Sequence, residues 1–427
     1  MNTVNSYALV FVIVLGALLP GQSGATTVAT RVPSLATAYS SQRKIVADSS
    51  GILYVVYLGL PQRKDEPNFT QVYLSESQDN GTTWRLLGQV STGPYNSERA
   101  TVIIDANGRL HIFWTKFVGE EEYGQIFYRI YDHGSFSAEQ QLTSAAAYSG
   151  YPSAAFDSKG RIHLVWYGYD GVAYQVYYSK YDDGNWSAPI RLSQGYPDSL
   201  NPTVAVDSSD NVYVAWYKSN GRNYEINFVR WVAGAWEDHT VLSYGRSDAF
   251  DPTTAIDAAN NLYVVWSQGD GTHNQLYFKE FSGGKWLPTT VITEGDLGSE
   301  EPSVAVEDGA GLYVMYAKGD GQIYTNHFQA GFWSGEEKVT SSGFNSYPSL
   351  RWSYYHNSFE RKTQRLDYVW TSLEGTVSSV RYGGILIAGY NAVETGNNLS
   401  GYLMVGIAIF AVAVLIIIYK QPWIRKK

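Results

Sequence analysis

The stretch from Tyr151 to Ser193 reads YPSAAFDSKGRIHLVWYGYDGVAYQVYYSKYDDGNWSAPIRLS and carries the signals of four short strands. Residues 152–156 form a short apolar run that stops at residues 157–160, where an Asp side chain can bond the backbone and Gly can adopt positive φ. Two runs of alternating β-branched and aromatic residues follow, and a fourth strand begins at Trp186. Four antiparallel strands in about 50 residues, without a helical pattern between them, predict one blade of a β-propeller.

The same unit recurs along the chain as an acid followed nine residues later by Trp or Tyr. Successive acids lie 50 to 57 residues apart, by subtraction of their numbers. The pairs are Asp48/Tyr57, Asp105/Trp114, Asp157/Trp166, Asp207/Trp216, Asp257/Trp266 and Glu307/Tyr316. A period this regular indicates one supersecondary unit copied along the chain. We interpret the acids as caps of hairpin turns rather than as a ring of metal ligands, because each precedes a Gly- or Asn-bearing turn.

The number of blades follows from counting second and fourth strands. Fourth strands begin at only six positions, whereas second strands end at seven aromatic residues. The latter are Tyr57, Trp114, Trp166, Trp216, Trp266, Tyr316 and Trp370. We predict that the N-terminal segment, residues 26–36, supplies the missing outer strand of the last blade and closes the ring. The predicted fold is an all-β, seven-bladed propeller with four-stranded blades over residues 26–384, with a six-bladed ring as the alternative.

Both ends of the chain predict export to a membrane surface. Residues 1–25 contain a short apolar run followed by small residues, as in a cleavable signal peptide, with an uncleaved N-terminal anchor as the alternative. Residues 399–419 carry no charge and are long enough to cross a membrane as a helix, and the basic residues of the tail, 420–427, place that tail in the cytoplasm. Residues 385–398 are then a stalk. The predicted topology is a single-pass cell-membrane protein with an extracytoplasmic propeller.

The amino-acid composition indicates which binding partners and which kind of organism are expected. The chain has no cysteine, so an exported body must be stable without disulfides, which favours an archaeal or bacterial surface protein. The formal net charge of −9 argues against nucleic acid as a partner. No phosphate-binding loop, dinucleotide fingerprint or metal-ligand spacing is present, so we predict neither a cofactor nor a bound metal. The 35 tyrosines and 13 tryptophans suit stacking on glycans and contacts with proteins.

One hairpin carries a recognisable motif. Residues 77–84 read SQDNGTTW, which fits the pattern S-x-D-x-G-x-T-W through Ser77, Asp79, Gly81, Thr83 and Trp84. Here the chain resembles the Asp-box (bacterial neuraminidase repeat) propellers of the sialidase-like superfamily. The resemblance implies a structural role for these residues, because in that family the hairpin stabilises the fold away from the binding face. The residue types predict the same structural role, because Ser77 and Asp79 can hydrogen-bond the turn backbone and Trp84 can pack between sheets.

The resemblance does not extend to the catalytic residues. Sialidase-like enzymes use three arginines to clamp the substrate carboxylate, a Tyr/Glu pair as nucleophile and base, and an Asp as acid. The segment Arg31-Val-Pro33 is similar to the motif of the first arginine, but it is out of register with the inner strands of the repeat. No catalytic residue is therefore carried over, and we favour a protein that is not an enzyme.

One position in each copy does not repeat. It lies six residues before each acid, where the chain enters the innermost strand. Its occupants are Gln42, Arg99, Tyr151, Asn201, Asp251 and Glu301, with Tyr347 at the start of the last blade. The innermost strands of a propeller start around one central opening, so we expect the last six of these residues to form a polar ligand site with aromatic faces for sugars. The alternative is a set of unrelated, solvated loop residues.

These observations predict a membrane-anchored recognition or adhesion protein that binds a glycan or a surface protein through its propeller. A membrane-tethered exo-glycosidase of the sialidase type is one alternative, because paired acids near an Arg can hold different pKa values and cleave a glycosidic bond. A structural component of a cell-surface assembly is the other.

Overall fold

The computed structural model describes residues 25–39, 41–61, 69–119, 123–144, 147–307, 311–351 and 365–386. The predicted signal peptide except Ala25, the membrane helix and the cytoplasmic tail lie outside these residues, as does the predicted stalk from residue 387 onward. Within the described ranges, no helix is both long and apolar enough to cross a membrane.

The described residues form seven antiparallel sheets, and each sheet is one blade. The outer edge strand β1 (Thr26–Thr30) belongs to blade 7. Blade 1 contains β2 (Ile45–Ala47), β3 (Leu53–Gly59), β4 (Gln71–Ser77) and β5 (Arg85–Gln89). Blade 2 contains β6 (Ser97–Ile104), β7 (Leu110–Val118), β8 (Tyr123–Asp132), β9 (Ser135–Phe136) and β10 (Gln140–Gln141). Blade 3 contains β11 (Ser149–Phe156), β12 (Ile162–Tyr169), β13 (Tyr174–Asp182), β14 (Asn185–Trp186) and β15 (Ile190–Arg191).

Blades 4 to 6 repeat this arrangement, with the outer strand again in two short pieces. Blade 4 contains β16 (Ser199–Val206), β17 (Val212–Ser219), β18 (Tyr224–Val232), β19 (Ala235–Trp236) and β20 (Thr240–Val241). Blade 5 contains β21 (Ala249–Ile256), β22 (Leu262–Gly269), β23 (Asn274–Ser282), β24 (Lys285–Trp286) and β25 (Thr290–Val291). Blade 6 contains β26 (Ser299–Glu307), β27 (Gly311–Lys318), β28 (Gln322–Gln329), β29 (Phe332–Trp333) and β30 (Glu337–Lys338). Blade 7 adds β31 (Phe344–Leu350), β32 (Arg365–Glu374) and β33 (Val377–Leu386) to β1.

The ring closes between the two ends of the propeller, as the sequence predicts. Strand β1 pairs antiparallel with β33, with Thr26 opposite Tyr382 and Thr30 opposite Ser379. The sheet order β1-β33-β32-β31 makes the N-terminal strand the outer strand of the last blade. The seven-bladed prediction is therefore confirmed and the six-bladed alternative is wrong. Strand β33 also includes Ile385 and Leu386, two residues of the predicted stalk.

The repeated acids and aromatics stabilise the fold. In blade 4, Asp207 Oδ1 accepts hydrogen bonds from the backbone N–H groups of Ser209 (2.8 Å) and Asn211 (2.9 Å), and its Oδ2 accepts one from the Tyr213 hydroxyl (2.8 Å). Trp216 is fully buried and packs among aliphatic residues of blades 3 and 4. The prediction of turn caps is confirmed for this acid. Within the described residues, no group of three His, Asp or Glu side chains is arranged to hold a metal ion.

The hairpin of residues 77–84 is bonded through its own side chains. Asp79 Oδ1 accepts hydrogen bonds from the Ser77 hydroxyl and the Thr83 backbone N–H, each at 2.8 Å, and Oδ2 accepts one from the Thr83 hydroxyl at 2.6 Å. Bonds from Thr83 and Ser77 lower the pKa of Asp79 to about 2. The Trp84 indole packs edge-on against Tyr382 of blade 7, with 5.2 Å between ring centroids. This hairpin therefore joins blade 1 to the last blade.

Candidate functional site

Every inner strand from blade 2 to blade 7 has a bulge at the same place. The pairing register between inner and second strands shifts at the non-repeating position in all six blades. The residues at these bulges all adopt positive φ: Arg99 (55°), Tyr151 (59°), Asn201 (47°), Asp251 (52°), Glu301 (58°) and Tyr347 (54°). Positive φ costs an ordinary residue on the order of 1 kcal/mol, and a bulge redirects its side chain. The backbone of the site is thus repeated although its side chains are not.

The bulges surround one opening of the central channel, which we call the mouth. Two residues after each bulge, hydroxyl side chains line a narrow channel on the axis of the ring. They are Thr101, Ser153, Thr203, Thr253, Ser303 and Ser349. The bulge residues therefore lie at the rim where the inner strands begin, which we call the mouth rim, and the acid-capped turns lie at the far rim.

Gln42, the blade 1 member of the series, closes the floor of the mouth. It is only 2% exposed, and its Nε2 donates to the carbonyl oxygens of Arg99 (2.8 Å) and Pro152 (3.2 Å). Its Oε1 accepts a hydrogen bond from the buried Lys44 ammonium at 3.0 Å. Gln42, which is not among the six residues of the predicted ligand site, therefore has a structural role: hydrogen bonds from its side-chain amide link blade 1 to the inner strands of blades 2 and 3.

Arg99 is held by aromatic rings. Its guanidinium carbon lies 4.3 Å from the centroid of the Tyr151 ring, 5.7 Å from that of Tyr39 and 5.8 Å from that of Phe117. Nη1 lies 2.7 Å from Glu98 Oε2, and Nε has no hydrogen-bond partner among the described residues. Contacts of a cation with aromatic faces contribute about 0.5–2 kcal/mol each. Arg99 is thus oriented and retains hydrogen-bonding capacity.

Tyr39 reaches the mouth from outside the repeat. It belongs to the segment that crosses from β1 to β2, and the Thr37 hydroxyl fixes this segment by donating to the Tyr347 carbonyl at 2.9 Å. The Tyr39 ring lies 4.8 Å from the Tyr151 ring and 6.3 Å from the Tyr347 ring, centroid to centroid. Burial raises the pKa of Tyr39, so its hydroxyl remains protonated. Tyr39 therefore connects the two sides of the mouth.

Two carboxyl groups lie on the opposite side of the mouth. Asp251 Oδ1 accepts a hydrogen bond from Asn201 Nδ2 at 3.1 Å, and Glu301 Oε2 accepts one from the Tyr347 backbone N–H at 2.6 Å. Desolvation raises the pKa of Asp251 to about 6 and that of Glu301 to about 8, with a further increase for Glu301 from the charge of Asp251. At neutral pH, Glu301 is therefore mostly a proton donor and Asp251 mostly a carboxylate.

A cavity opens from the mouth between blades 6 and 7. Its volume is about 420 Å³, and Glu301 and Tyr347 form part of its wall. The other wall residues come from the mouth ends of β26, β27, β31, β32 and β33, from residues next to these ends and from the segment after β1. This volume is within the usual range for small-molecule sites.

The bulge residues that the sequence predicts as a ligand site contact one another in three pairs. These pairs are Arg99 with Tyr151, Asn201 with Asp251, and Glu301 with Tyr347. Convergence at one rim is thus observed, and the binding of a ligand there remains a prediction. The group combines a guanidinium, two carboxyls, an amide and tyrosine hydroxyls, a set that can hydrogen-bond a polyhydroxylated ligand.

The chain matches no family model, and no curated protein sequence matches it. Solved structures do match. A PL25 ulvan lyase with a bound GlcA(1-4)Rha3S glycan has a TM-score of 0.61 at 14% identity, covering 86% of this chain and 96% of that chain. The polysaccharide lyase Uly1 has a TM-score of 0.55 at 10% identity, and the match covers 86% of this chain and 99% of that chain. The Hadza microbial sialidase Hz136 has a TM-score of 0.50 at 10% identity, and the match covers 85% of this chain and 68% of that chain. These likenesses establish the propeller fold.

Two features of the mouth were not predicted from the sequence. Tyr39 lies in the segment that joins the closing strand to blade 1, and no copy of the repeat provides an equivalent position. The cavity depends on how β31 and the segment after β1 pack beside blade 6. The one signal for Tyr39 was indirect, because a segment that closes the ring must cross the mouth rim to reach the first inner strand.

Proposed function

We propose that this protein is a single-span surface protein that binds a glycan at the mouth of its propeller. The observation that carries the proposal is the convergence of six non-repeating side chains on six repeated bulges. Backbone strain that recurs at one rim, with unlike side chains each time, is typical of a functional surface. In support, propellers of the same fold include proteins named as polysaccharide lyases and a sialidase.

The chemistry of the mouth suits a sugar. Arg99 and the protonated Glu301 can donate hydrogen bonds, Asp251 can accept them, and sugar hydroxyls do both. The rings of Tyr39 and Tyr347 are partly exposed at the mouth and offer faces for stacking. An acidic sugar would in addition form a charged hydrogen bond with the Arg99 guanidinium.

The proposed location of the propeller is the outer surface of a cell membrane. Strand β33 begins at the mouth rim, pairs with β32, and ends with Leu386 at the far rim. We place the propeller outside the cell because residues 399–419 fit a membrane helix and basic residues follow them.

The proposal is tested by retention on a glycan array. Purified full-length protein in detergent is applied to immobilised acidic and neutral glycans, including ulvan oligosaccharides. We expect selective retention that is abolished when Tyr151, Asp251 and Tyr347 are all replaced by Ala. The milder Asp251→Asn variant, which suits positive φ, should weaken retention about tenfold or more, because an acceptor for sugar hydroxyls becomes partly a donor.

The matched control changes three exposed side chains at far-rim hairpins. It combines Asp183→Asn, Lys285→Ala and Phe332→Ala. Retention of this variant should equal that of the unmodified protein. Equal retention of the mouth variant and the control, with both folded as judged by thermal unfolding, would locate the ligand elsewhere.

A second candidate function is cleavage of a glycan, and the two carboxyl groups favour it. Their pKa values differ, as is typical of an acid and a base or nucleophile working together. Glu301 would donate its proton to the glycosidic oxygen as the bond from that oxygen to the anomeric carbon breaks. Asp251 would either form a bond to the anomeric carbon, which water then hydrolyses, or take a proton from the water that attacks this carbon. A screen with chromogenic sialosides and other glycosides checks this function. Turnover that is lost in both Glu301→Gln and Asp251→Asn would establish an enzyme, and absence of turnover would favour binding alone.

A further inference from the structure

We infer that the cavity between blades 6 and 7 binds an apolar substituent, an aryl or acyl group, of the glycan held at the mouth. The inference rests on the proposed function for the identity of the ligand. Its basis is the composition of the cavity wall, its volume and its continuity with the mouth.

The wall presents apolar surface to any occupant. Leu35, Phe344 and Leu373 are 37%, 58% and 36% exposed, and Ala317 lies beside them. Covering large apolar side chains in such positions with an apolar group is favourable, because apolar surface is removed from water. A cavity of about 420 Å³ has room for a ring or a short acyl chain.

Several polar side chains of the wall are already bonded within the protein. Lys318 Nζ lies 2.7 Å from Glu336 Oε2, and Asn345 Oδ1 accepts a hydrogen bond from the Trp370 indole at 2.8 Å. The Thr371 hydroxyl bonds that of Thr37 at 2.7 Å. These bonds hold this part of the wall in place beside its apolar side chains.

Continuity with the mouth identifies the occupant as part of the same ligand. Glu301 and Tyr347 line the cavity and also belong to the bulge ring, so the same two residues border both spaces. A sugar bonded to Glu301 from the mouth would place one of its substituents in the cavity. The polar site and the apolar cavity are then two parts of one binding surface.

The test uses the absence of cysteine from the chain. Leu373→Cys places a single thiol in the cavity, and Leu86→Cys places one on the outer strand of blade 1 at a similar exposure, 43% against 36%. Each full-length variant is treated with N-phenylmaleimide and with N-ethylmaleimide, and the ratio of the two rate constants is measured at each thiol. The ratio cancels differences in thiol reactivity between the two positions.

We expect the phenyl-to-ethyl ratio in Leu373→Cys to exceed that in Leu86→Cys by about fivefold or more, because the cavity concentrates the phenyl group. Adding Ala317→Phe to Leu373→Cys fills the cavity and should return the ratio to that of Leu86→Cys. The phenyl glycoside of the sugar retained on the array should protect the cavity thiol at lower concentration than the methyl glycoside does.

Equal ratios at the two thiols, or equal protection by the two glycosides, would overturn the inference. The maleimide ratio does not depend on whether the array retains the protein through its mouth, whereas the protection experiment does. Conversely, if no glycan is retained, the proposed function fails while the maleimide ratio still reports on the cavity. Thermal unfolding of Leu373→Cys shows whether the fold is intact, and Ser346→Cys provides a second thiol in the wall if it is not.

Discussion

At the scale of single residues, Glu301 should make stability depend on pH. Desolvation raises its pKa in the folded protein to about 8, against about 4.3 in an unfolded chain. The folded state therefore binds the proton more tightly, so this contribution is complete below about pH 4 and is lost as the pH rises towards 8. We expect the Tm of the unmodified protein to fall between pH 5 and 8 by about 3 °C or more relative to Glu301→Gln.

The control for this prediction is Glu374→Gln, which changes an exposed glutamate at the mouth end of β32. Its Tm should follow the pH in the same way as that of the unmodified protein. If Glu301→Gln also follows the same curve, the Glu301 carboxyl is not desolvated and the account of the mouth is wrong.

The sequence identifies most of the residues of the mouth but not their surroundings. Arg99, Asp251 and Glu301 are recognisable because they differ from one another at a position whose neighbours repeat. The repeat places each of them at the start of an inner strand, and this placement needs no knowledge of contacts. The sequence does not predict the burial of Gln42. The hydrogen bonds from its side-chain amide to carbonyl groups of blades 2 and 3 depend on three-dimensional packing. The role of Tyr39 was missed for the same reason.

At the scale of structural elements, the repeated acid stabilises each blade through its hairpin. Asp207 is 2% exposed and accepts hydrogen bonds from two backbone N–H groups and from the buried Tyr213 hydroxyl. Asp207→Ala leaves these donors without their acceptor, which should cost about 1–3 kcal/mol in the free energy of unfolding. Denaturant titration measures the change.

Asp207→Asn keeps an acceptor oxygen, so its free energy of unfolding should fall by less than that of Asp207→Ala. Asp238→Ala changes an exposed position in the same blade and should leave the free energy of unfolding almost unchanged. A loss in Asp238→Ala equal to that in Asp207→Ala would show that the turn cap is not the source of the stabilisation.

The inner strands show why the site was only partly predictable at this scale. The period of the sequence indicates where each strand begins, and the strands lie where the period predicts. The bulges were not expected, because residues such as Tyr151 and Glu301 do not favour positive φ. No local sequence signal encodes the register shift.

At the scale of the whole molecule, β1 holds the ring closed. Val28 packs with Val380 and Tyr382 of β33, and the strand covers an edge that would otherwise be unpaired. Deletion of residues 26–30 should lower the Tm by about 5 °C or more and promote aggregation through the exposed edge of β33. Differential scanning calorimetry and light scattering measure both effects.

Thr27→Ala is the control, because Thr27 is an exposed residue of the same strand. It should leave the Tm nearly unchanged. A deletion variant as stable as the Thr27→Ala variant would contradict the closing role of β1.

A crystal structure of the complex would show whether a glycan binds at the mouth. Crystals of the protein would be grown with the glycan that the array retains. We expect a sugar within about 3 Å of Arg99 and of Asp251 or Glu301, with a ring stacked on Tyr39 or Tyr347. A glycan bound at the far rim or on the outer strands, with the mouth empty, would contradict this expectation.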